Sequence, residues 1–267
     1  MNKKETRLVD TVCIKVGGST LDAPGFLADF AASVAAISKD FFPVIVHGGG
    51  KDIGRQLDLL KKDYKFVEGM RVTDAETVST VQMVLSGDVN KRIVNALQTA
   101  GINGLGISGV DCNFLSATRM TVKGQDIGFV GTVKRVDTRI IDLCAKNGIV
   151  PVVSPISRDK SGNIYNVNAD LAASEIAKAL HAGHLVFISD VAGVLVNGAV
   201  VRSIKTTDIE GLIADGHIKG GMIPKVRGAR ESVENGVAQV HICGWNGKET
   251  LGKELNLKTS SGTVVLA

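Results

Sequence analysis

The stretch FPVIVHGGGKDIG, Phe42 to Gly54, runs from a β-branched apolar string straight into three glycines and then into a more polar sequence. The apolar string predicts a buried strand, and KDIGRQLDLLKK behind the glycines carries helical spacing. A strand that ends in glycines and reopens as a helix turns backbone N–H groups outward, where the helix dipole favours an anion. Gly48, Gly49 and Gly50 would therefore admit a phosphate or carboxylate to main-chain donors, the alternative being a plain tight turn. The first apolar string ends the same way: IKVGGS places Gly17 and Gly18 just after Lys15. Two glycine-tipped strands read as two walls of one anion site.

The alternation continues along the chain. TVCIKVGG reads as a strand and FLADFAASVAAISKD as a helix; ETVSTVQMVLSG and VNKRIVNALQTAG read as two helices, and NGLGISG as a short strand. FLSATRMTVKGQDIGFVGTVKRVD, more polar and β-rich, predicts a hairpin insertion. Helix RIIDLCAKNG, strand IVPVVSP, helix DLAASEIAKALHAG and strand HLVFISD follow, then a helix around IPKVRGARESVENG and strands AQVHICG and GTVVLA. Strands alternating with helices of this length predict a mostly parallel sheet covered on both faces, with ligands outside the carboxyl ends of its strands. No linker divides the chain, and the expected organisation is two lobes on one continuous sheet, meeting near residue 167.

The 267 residues, 44% of them hydrophobic, suffice for one large α/β unit or two modest lobes with an apolar core. A net charge of +4 spread along the chain suits small anionic ligands and argues against a nucleic-acid surface. MNKKETRLVD lacks an apolar stretch behind its basic residues, and no apolar run approaches the ~18 residues of a membrane span. A cytoplasmic protein without nucleic-acid or membrane partners is expected. Cys13, Cys112, Cys144 and Cys243 form no C-x-x-C pair and read as free thiols.

Lys15 stands inside an apolar strand, where a lysine is costly unless paired, although an edge strand would let it reach solvent. NIYNVNAD gathers Asn166, Asn168 and Asp170 ahead of a helix; one of them serves as a cap, but capping does not explain all three. IKGGMIPKVRGA sets Lys225 in the first turn of a helix, opposed to the dipole and so in need of an anionic partner. GMRVTD offers Arg71 near a turn, where its fork of donors suits a carboxylate. Two motifs are rejected. GLGISG fits G-x-G-x-x-G, but a helix precedes it and β-type residues lie inside it, against a dinucleotide fold. His181 and His184 lack a third metal ligand and flank Gly183 at a helix end, which reads as a C-cap. No metal ligands are assigned.

KVGGS, VIVHGGG, GMRVTD, NVNAD, ISDVAGVL and GGMIPKV occur in the order seen in the amino acid kinase family, and with the closing SGTVVLA the resemblance covers nearly the whole chain. The resemblance implies a three-layer αβα sandwich around a mostly parallel central sheet, the carbamate kinase-like fold. Residues 1–167 would bind the acceptor and make dimer contacts, and residues 168–267 would bind ATP. It further implies transfer of the γ-phosphoryl of ATP to the side-chain carboxylate of N-acetyl-L-glutamate in arginine biosynthesis. A carboxylate is ionised at neutral pH and needs no general base, so catalysis reduces to holding two anions together and neutralising the group in flight.

Carried over, Lys15 and Lys225 would grip the transferring phosphoryl, with Asp170 between the two ammonium groups. Gly17, Gly18 and Gly49 would donate N–H bonds to it. Gly49, Gly50, Arg71 and Asn166 would hold the acetylglutamate. Ser189, Asp190, Val191, Ala192, Gly193 and Val194, with Lys219, Gly220, Gly221, Met222 and Lys225, would line the ATP site. Mg²⁺ would arrive on the nucleotide, held mainly by phosphates and water.

Cys112, Glu68, Ser19 and Thr20 depart from the family pattern, the first two near the substrate lid. About ten residues precede the first strand, too few for the extra N-terminal helix of arginine-inhibited hexameric members, so an arginine-insensitive homodimer is expected. The alternatives are a kinase for a carrier-linked α-aminoadipate, one methylene longer, or a non-catalytic amino-acid sensor on the same fold. Glutamate 5-kinase fits less well, since its KVGSS-like start is not matched.

Overall fold

A computed structural model describes residues 10–267. The stretch before the first strand, on which the expectation about arginine rests, lies outside the described residues, as does the Ser19 side chain. The centre is an eight-stranded sheet. In spatial order its strands are Ser203–Lys205, Thr263–Leu266, Gln239–Gly244, His184–Ser189, Asp10–Val16, Phe41–His47, Val150–Ser154 and Gly104–Ser108. Every neighbouring pair is parallel except Gln239–Gly244 with Thr263–Leu266. The three-layer, mostly parallel arrangement expected from the alternation is therefore present.

Side chains of successive strand residues point to opposite faces, and the core divides accordingly. Val12, Ile14 and Val16 join Phe26, Phe30 and Ile93 on one face, while Cys13, Val44, Val46 and Phe187 join Ala172, Ile176 and Val226 on the other. The helices Phe26–Ile37 and Asn90–Thr99 cover the first face, and Ala169–Ala179 and Met222–Glu234 the second.

The hairpin insertion forms as expected, with strands Leu115–Val122 and Gln125–Val136. It closes a small barrel with Ile156–Arg158 and Ile164–Val167 beside the main sheet. The two helices expected between residues 76 and 101 instead run end to end. Ala75–Gln82 passes through a π-helical stretch, Met83–Val89, into Asn90–Thr99. Ser86 and Gly87, the last residues of the first expected helix, lie inside that wider turn. GLGISG is an edge strand that opens no helix of its own length, consistent with its rejection as a dinucleotide motif. The left-handed residue closing Ala169–Ala179 is His181 (φ 46°), not Gly183. Among the described residues no helix is long and apolar enough to cross a membrane.

Candidate active site

Lys15 lies on a central strand paired on both sides, so it does not escape over a sheet edge. Its ammonium instead reaches the C-terminal end of the sheet, 2.7 Å from Asp170 Oδ1. Asp170 sits in the first turn of Ala169–Ala179, and its Oδ1 is buried with no other partner among the described residues. The helix is capped by Asn168, whose Oδ1 accepts from the N–H groups of Asp170 (2.8 Å) and Leu171 (3.2 Å). Of the three residues in NVNAD, Asn168 is thus the cap. Asp170 is free for the lysine.

Lys225 comes from the first turns of Met222–Glu234. Its Nζ donates to Ser189 Oγ (3.0 Å), and Ser189 Oγ donates to Asp190 Oδ1 (3.0 Å). Burial pulls the Lys225 ammonium below the usual lysine range; Asp170 and Asp190 oppose the fall, and the neighbouring Lys15 adds to it. Two ammonium groups that feel each other and a shared carboxylate form a positive focus with room for a further anion.

The glycines close around this focus. A Cβ on Gly17 would lie 3.5 Å from Lys15 Nζ. A Cβ on Gly18 would lie 2.8 Å from Gly50 N and 3.0 Å from Gly49 Cα, so the two glycine-tipped strand ends meet backbone to backbone. At Gly49 the obstacle is protein: a Cβ there would stand 2.5 Å from Leu85 Cδ2 and 3.3 Å from Val89 Cγ2 of the π-helical turn. Gly50 faces open space. Gly48 N–H donates to Val16 O (2.9 Å), whereas Gly49 N–H has no acceptor among the described residues.

Beside the glycines opens a cavity of about 720 Å³, lined by Lys15, Gly18, Gly48, Gly50, Arg71 and Asn166 among others. Arg71 is buried, its guanidinium carbon 4.3 Å from the centroid of the Tyr64 ring and 4.7 Å from that of Phe66. Nη2 donates to Gly50 O (3.0 Å), but Nη1 is buried without a partner among the described residues. A buried guanidinium nitrogen with no acceptor suits an anion in the cavity. Asn166 Nδ2 is held weakly by Thr73 Oγ1 (3.4 Å), leaving its amide available to the same cavity.

The residues expected to line ATP divide. Asp190, Val191, Ala192, Lys219, Gly220 and Gly221 are exposed, Ser189 holds Lys225, and Met222 is half-buried. Gly193 and Val194 turn inward instead. Val194 is fully buried and its N–H donates to Thr263 Oγ1 (2.8 Å), while Gly193 packs on Val200 and Thr263. Those two anchor the loop to the last strand. Among the described residues no three His, Cys, Asp or Glu side chains cluster to hold a metal ion.

Sequence reading missed Tyr64 and Phe66, whose aromatic character in a polar stretch was the available signal, and Asp52. Asp52 is a buried carboxylate bonded to Arg55 (2.6 Å) and Arg92 (2.9 Å). Nothing in the local sequence distinguishes it from a solvated first-turn acid.

The chain belongs to the amino acid kinase family, whose model matches residues 10–244. Within that family the similarity runs to acetylglutamate kinases. The chain is 43% identical to the acetylglutamate kinase of Alcanivorax borkumensis over 247 residues, 87% of this chain and 83% of that one. Among solved structures it is similar to the N-acetylglutamate synthase of Neisseria gonorrhoeae complexed with coenzyme A and N-acetyl-glutamate (TM-score 0.86, 22% identity). That likeness covers 97% of this chain but only 59% of the longer synthase. The Giardia lamblia carbamate kinase bound to AMP-PNP is also similar, with a TM-score of 0.69 and 18% identity over 97% of this chain and 99% of that one. Both likenesses speak to the fold.

Proposed function

We propose that this kinase transfers the γ-phosphoryl of MgATP to the side-chain carboxylate of N-acetyl-L-glutamate. The observation that carries the reading is the Lys15–Asp170–Lys225 focus beside a cavity holding an unpartnered Arg71 nitrogen. Membership among proteins similar to acetylglutamate kinases supplies the acceptor and the place in arginine biosynthesis. The acceptor α-carboxylate meets Arg71, its amide meets Asn166, and its side-chain carboxylate is presented at the glycine ends. Lys15 approaches the phosphoryl from the acceptor side and Lys225 from the nucleotide side. Asp170 sits between the two ammonium groups and orients them, with no proton to move because the nucleophile is already an anion. Gly17, Gly18 and Gly49 offer backbone donors to the group in flight. ATP enters beside Ser189–Ala192 and Lys219–Met222, bringing Mg²⁺ on its phosphates. Residues 1–167 serve the acceptor and 168–267 the nucleotide.

The protein acts in the cytoplasm as a homodimer. Support for the dimer comes from the edge strand Gly104–Ser108, which among the described residues is bonded on one side only and leaves Leu105 at 39% exposure. Light scattering that gives a monomer mass at micromolar protein overturns that part. Titration calorimetry tests the acceptor. In the presence of Mg²⁺ and a non-hydrolysable ATP analogue, N-acetylglutamate is expected to bind and free glutamate not. Equal binding of the two, or no binding of either, contradicts the reading.

A further inference from the structure

His47 is the last residue of the strand Phe41–His47, fully buried, and has no part in the chemistry described so far. Its ring touches two groups. Nδ1 lies 2.9 Å from Gly48 O, and Nε2 lies 3.2 Å from Asn90 Nδ2. A carbonyl oxygen can only accept, and an amide nitrogen can only donate. The neutral ring therefore carries its proton on Nδ1 and takes the Asn90 proton on Nε2. Burial holds the pKa down to about 4, so this neutral form persists across the working range. Asn90 is itself fixed: Nδ2 also donates to Val152 O (2.9 Å), and Oδ1 accepts from Lys91 Nζ (3.0 Å).

Gly48 O and Gly49 N–H belong to one peptide plane, and in a trans peptide they point in opposite directions. Holding the oxygen from behind thus aims the N–H forward. Gly49 N–H has no protein acceptor among the described residues, whereas Gly48 N–H is committed to Val16 O. A glycine peptide is otherwise free to swing, since no Cβ restricts it. The π-helical turn adds a second restraint on the same residue by seating Leu85 and Val89 where a Gly49 Cβ would be. Asn90, which orients the histidine, directly follows that turn.

We infer that His47 is a positioning residue: through Nδ1–H it locks the Gly48–Gly49 peptide so that Gly49 N–H faces the transferring phosphoryl, with Asn90 setting the tautomer. The inference deepens the proposed phosphoryl transfer and rests on it. A backbone donor aimed before the reaction needs no reorganisation in the transition state, so its loss falls on kcat more than on ground-state binding.

Two substitutions separate the ring's nitrogens. An Asn amide nitrogen reaches about as far as Nδ1, and a Gln amide nitrogen about as far as Nε2. His47→Asn is expected to keep kcat within about fivefold of the wild type, whereas His47→Gln loses about 10- to 100-fold, with KM for ATP and N-acetylglutamate nearly unchanged in both. A purely structural role would instead follow the melting temperature of each variant, measured alongside. His47→Gln turning over as fast as His47→Asn, or a loss confined to KM, overturns the inference. A wild-type enzyme that turns over no acceptor overturns the phosphoryl-transfer reading itself. Should neither variant fold, ¹⁵N-histidine NMR of the wild type between pH 6 and 8 decides: a protonated Nδ1 and bare Nε2 on His47 are required, and the opposite tautomer contradicts the proposal.

Discussion

Lys15 Nζ lies 2.7 Å from Asp170 Oδ1, joining the end of a central strand to the first turn of the helix Ala169–Ala179. The pair joins residues from either side of position 167, and Lys225 feels both charges. Asp170→Asn keeps the shape and removes the charge that holds two ammonium groups near each other. Its kcat is expected to fall about 10- to 100-fold with no new dependence on pH, because no proton passes through Asp170. Steady-state kinetics from pH 6 to 9 check this; a rate limb that disappears with the carboxylate would assign it acid–base work instead.

Lys15→Ala and Lys225→Ala each remove a positive charge from the phosphoryl position. Each is expected to lower kcat by roughly two to four orders of magnitude. Retention of near-normal kcat by both contradicts the two-lysine arrangement.

The Lys225 ammonium titrates below the ordinary lysine range because it is buried. Activity that needs its charge is therefore full at neutral pH and lost as pH rises through the lowered value, earlier than for a solvated lysine. Lys225→Arg, whose guanidinium stays charged, is expected to lower kcat yet flatten that basic limb. A limb that stays unchanged in Lys225→Arg traces to another group.

Arg71 is clamped between Tyr64 and Phe66 with one nitrogen on Gly50 O and another unpaired. Arg71→Ala is expected to raise KM for the acceptor about 10- to 100-fold and leave KM for ATP nearly unchanged. Arg71→Lys should recover little, since an ammonium offers neither the flat face nor the fork. An effect confined to KM for ATP would move Arg71 to the nucleotide side.

The glycines divide by what surrounds them. Gly50→Ala meets open space at the start of a helix, so thermal stability should hold or rise slightly while KM for the acceptor increases. Gly49→Ala drives a methyl into Leu85 and is expected to cost about 1–3 kcal/mol in denaturant unfolding. Adding Leu85→Ala should return part of that stability. A Gly49→Ala protein as stable as wild type would show that the π-helical turn yields.

Away from the site, His184 Nδ1 and His241 Nε2 are 3.0 Å apart, and burial holds His241 down to about 3. Its unfolded value is near 6.5, so the unfolded chain binds the extra proton first. Stability is thus full above pH 6.5 and is lost as pH falls toward 3. His241→Leu should reduce the drop in melting temperature between pH 7.5 and 4.5. An unaltered drop would leave His47, also held to about 4, as the main contributor.

Local patterns carried most of the architecture. The β-branched strings at Asp10–Val16, Phe41–His47 and His184–Ser189 and the helical spacing between them foretold the sheet and its coverings. Lys15, out of place in such a string, announced the site. Contacts between distant segments left no such trace. Leu85 against Gly49, Asp52 between Arg55 and Arg92, and Thr263 under Val194 depend on folding to meet. The π-helical join was hidden because Ser86 and Gly87 read as a helix end, while Val84, Leu85 and Val89 bury continuously against the core. Gly193 and Val194 look like loop residues by neighbourhood and prove to be packing residues by contact.

The most direct test of the central claim is ATP-dependent acyl-phosphate formation, trapped as the hydroxamate, with N-acetylglutamate, glutamate and α-aminoadipate offered separately. Hydroxamate from N-acetylglutamate alone, abolished in Lys15→Ala, is the predicted result. Acyl phosphate from α-aminoadipate in preference, or from none of the three while ATP still binds, contradicts the assignment of the acceptor and points to a carrier-linked substrate or a non-catalytic sensor.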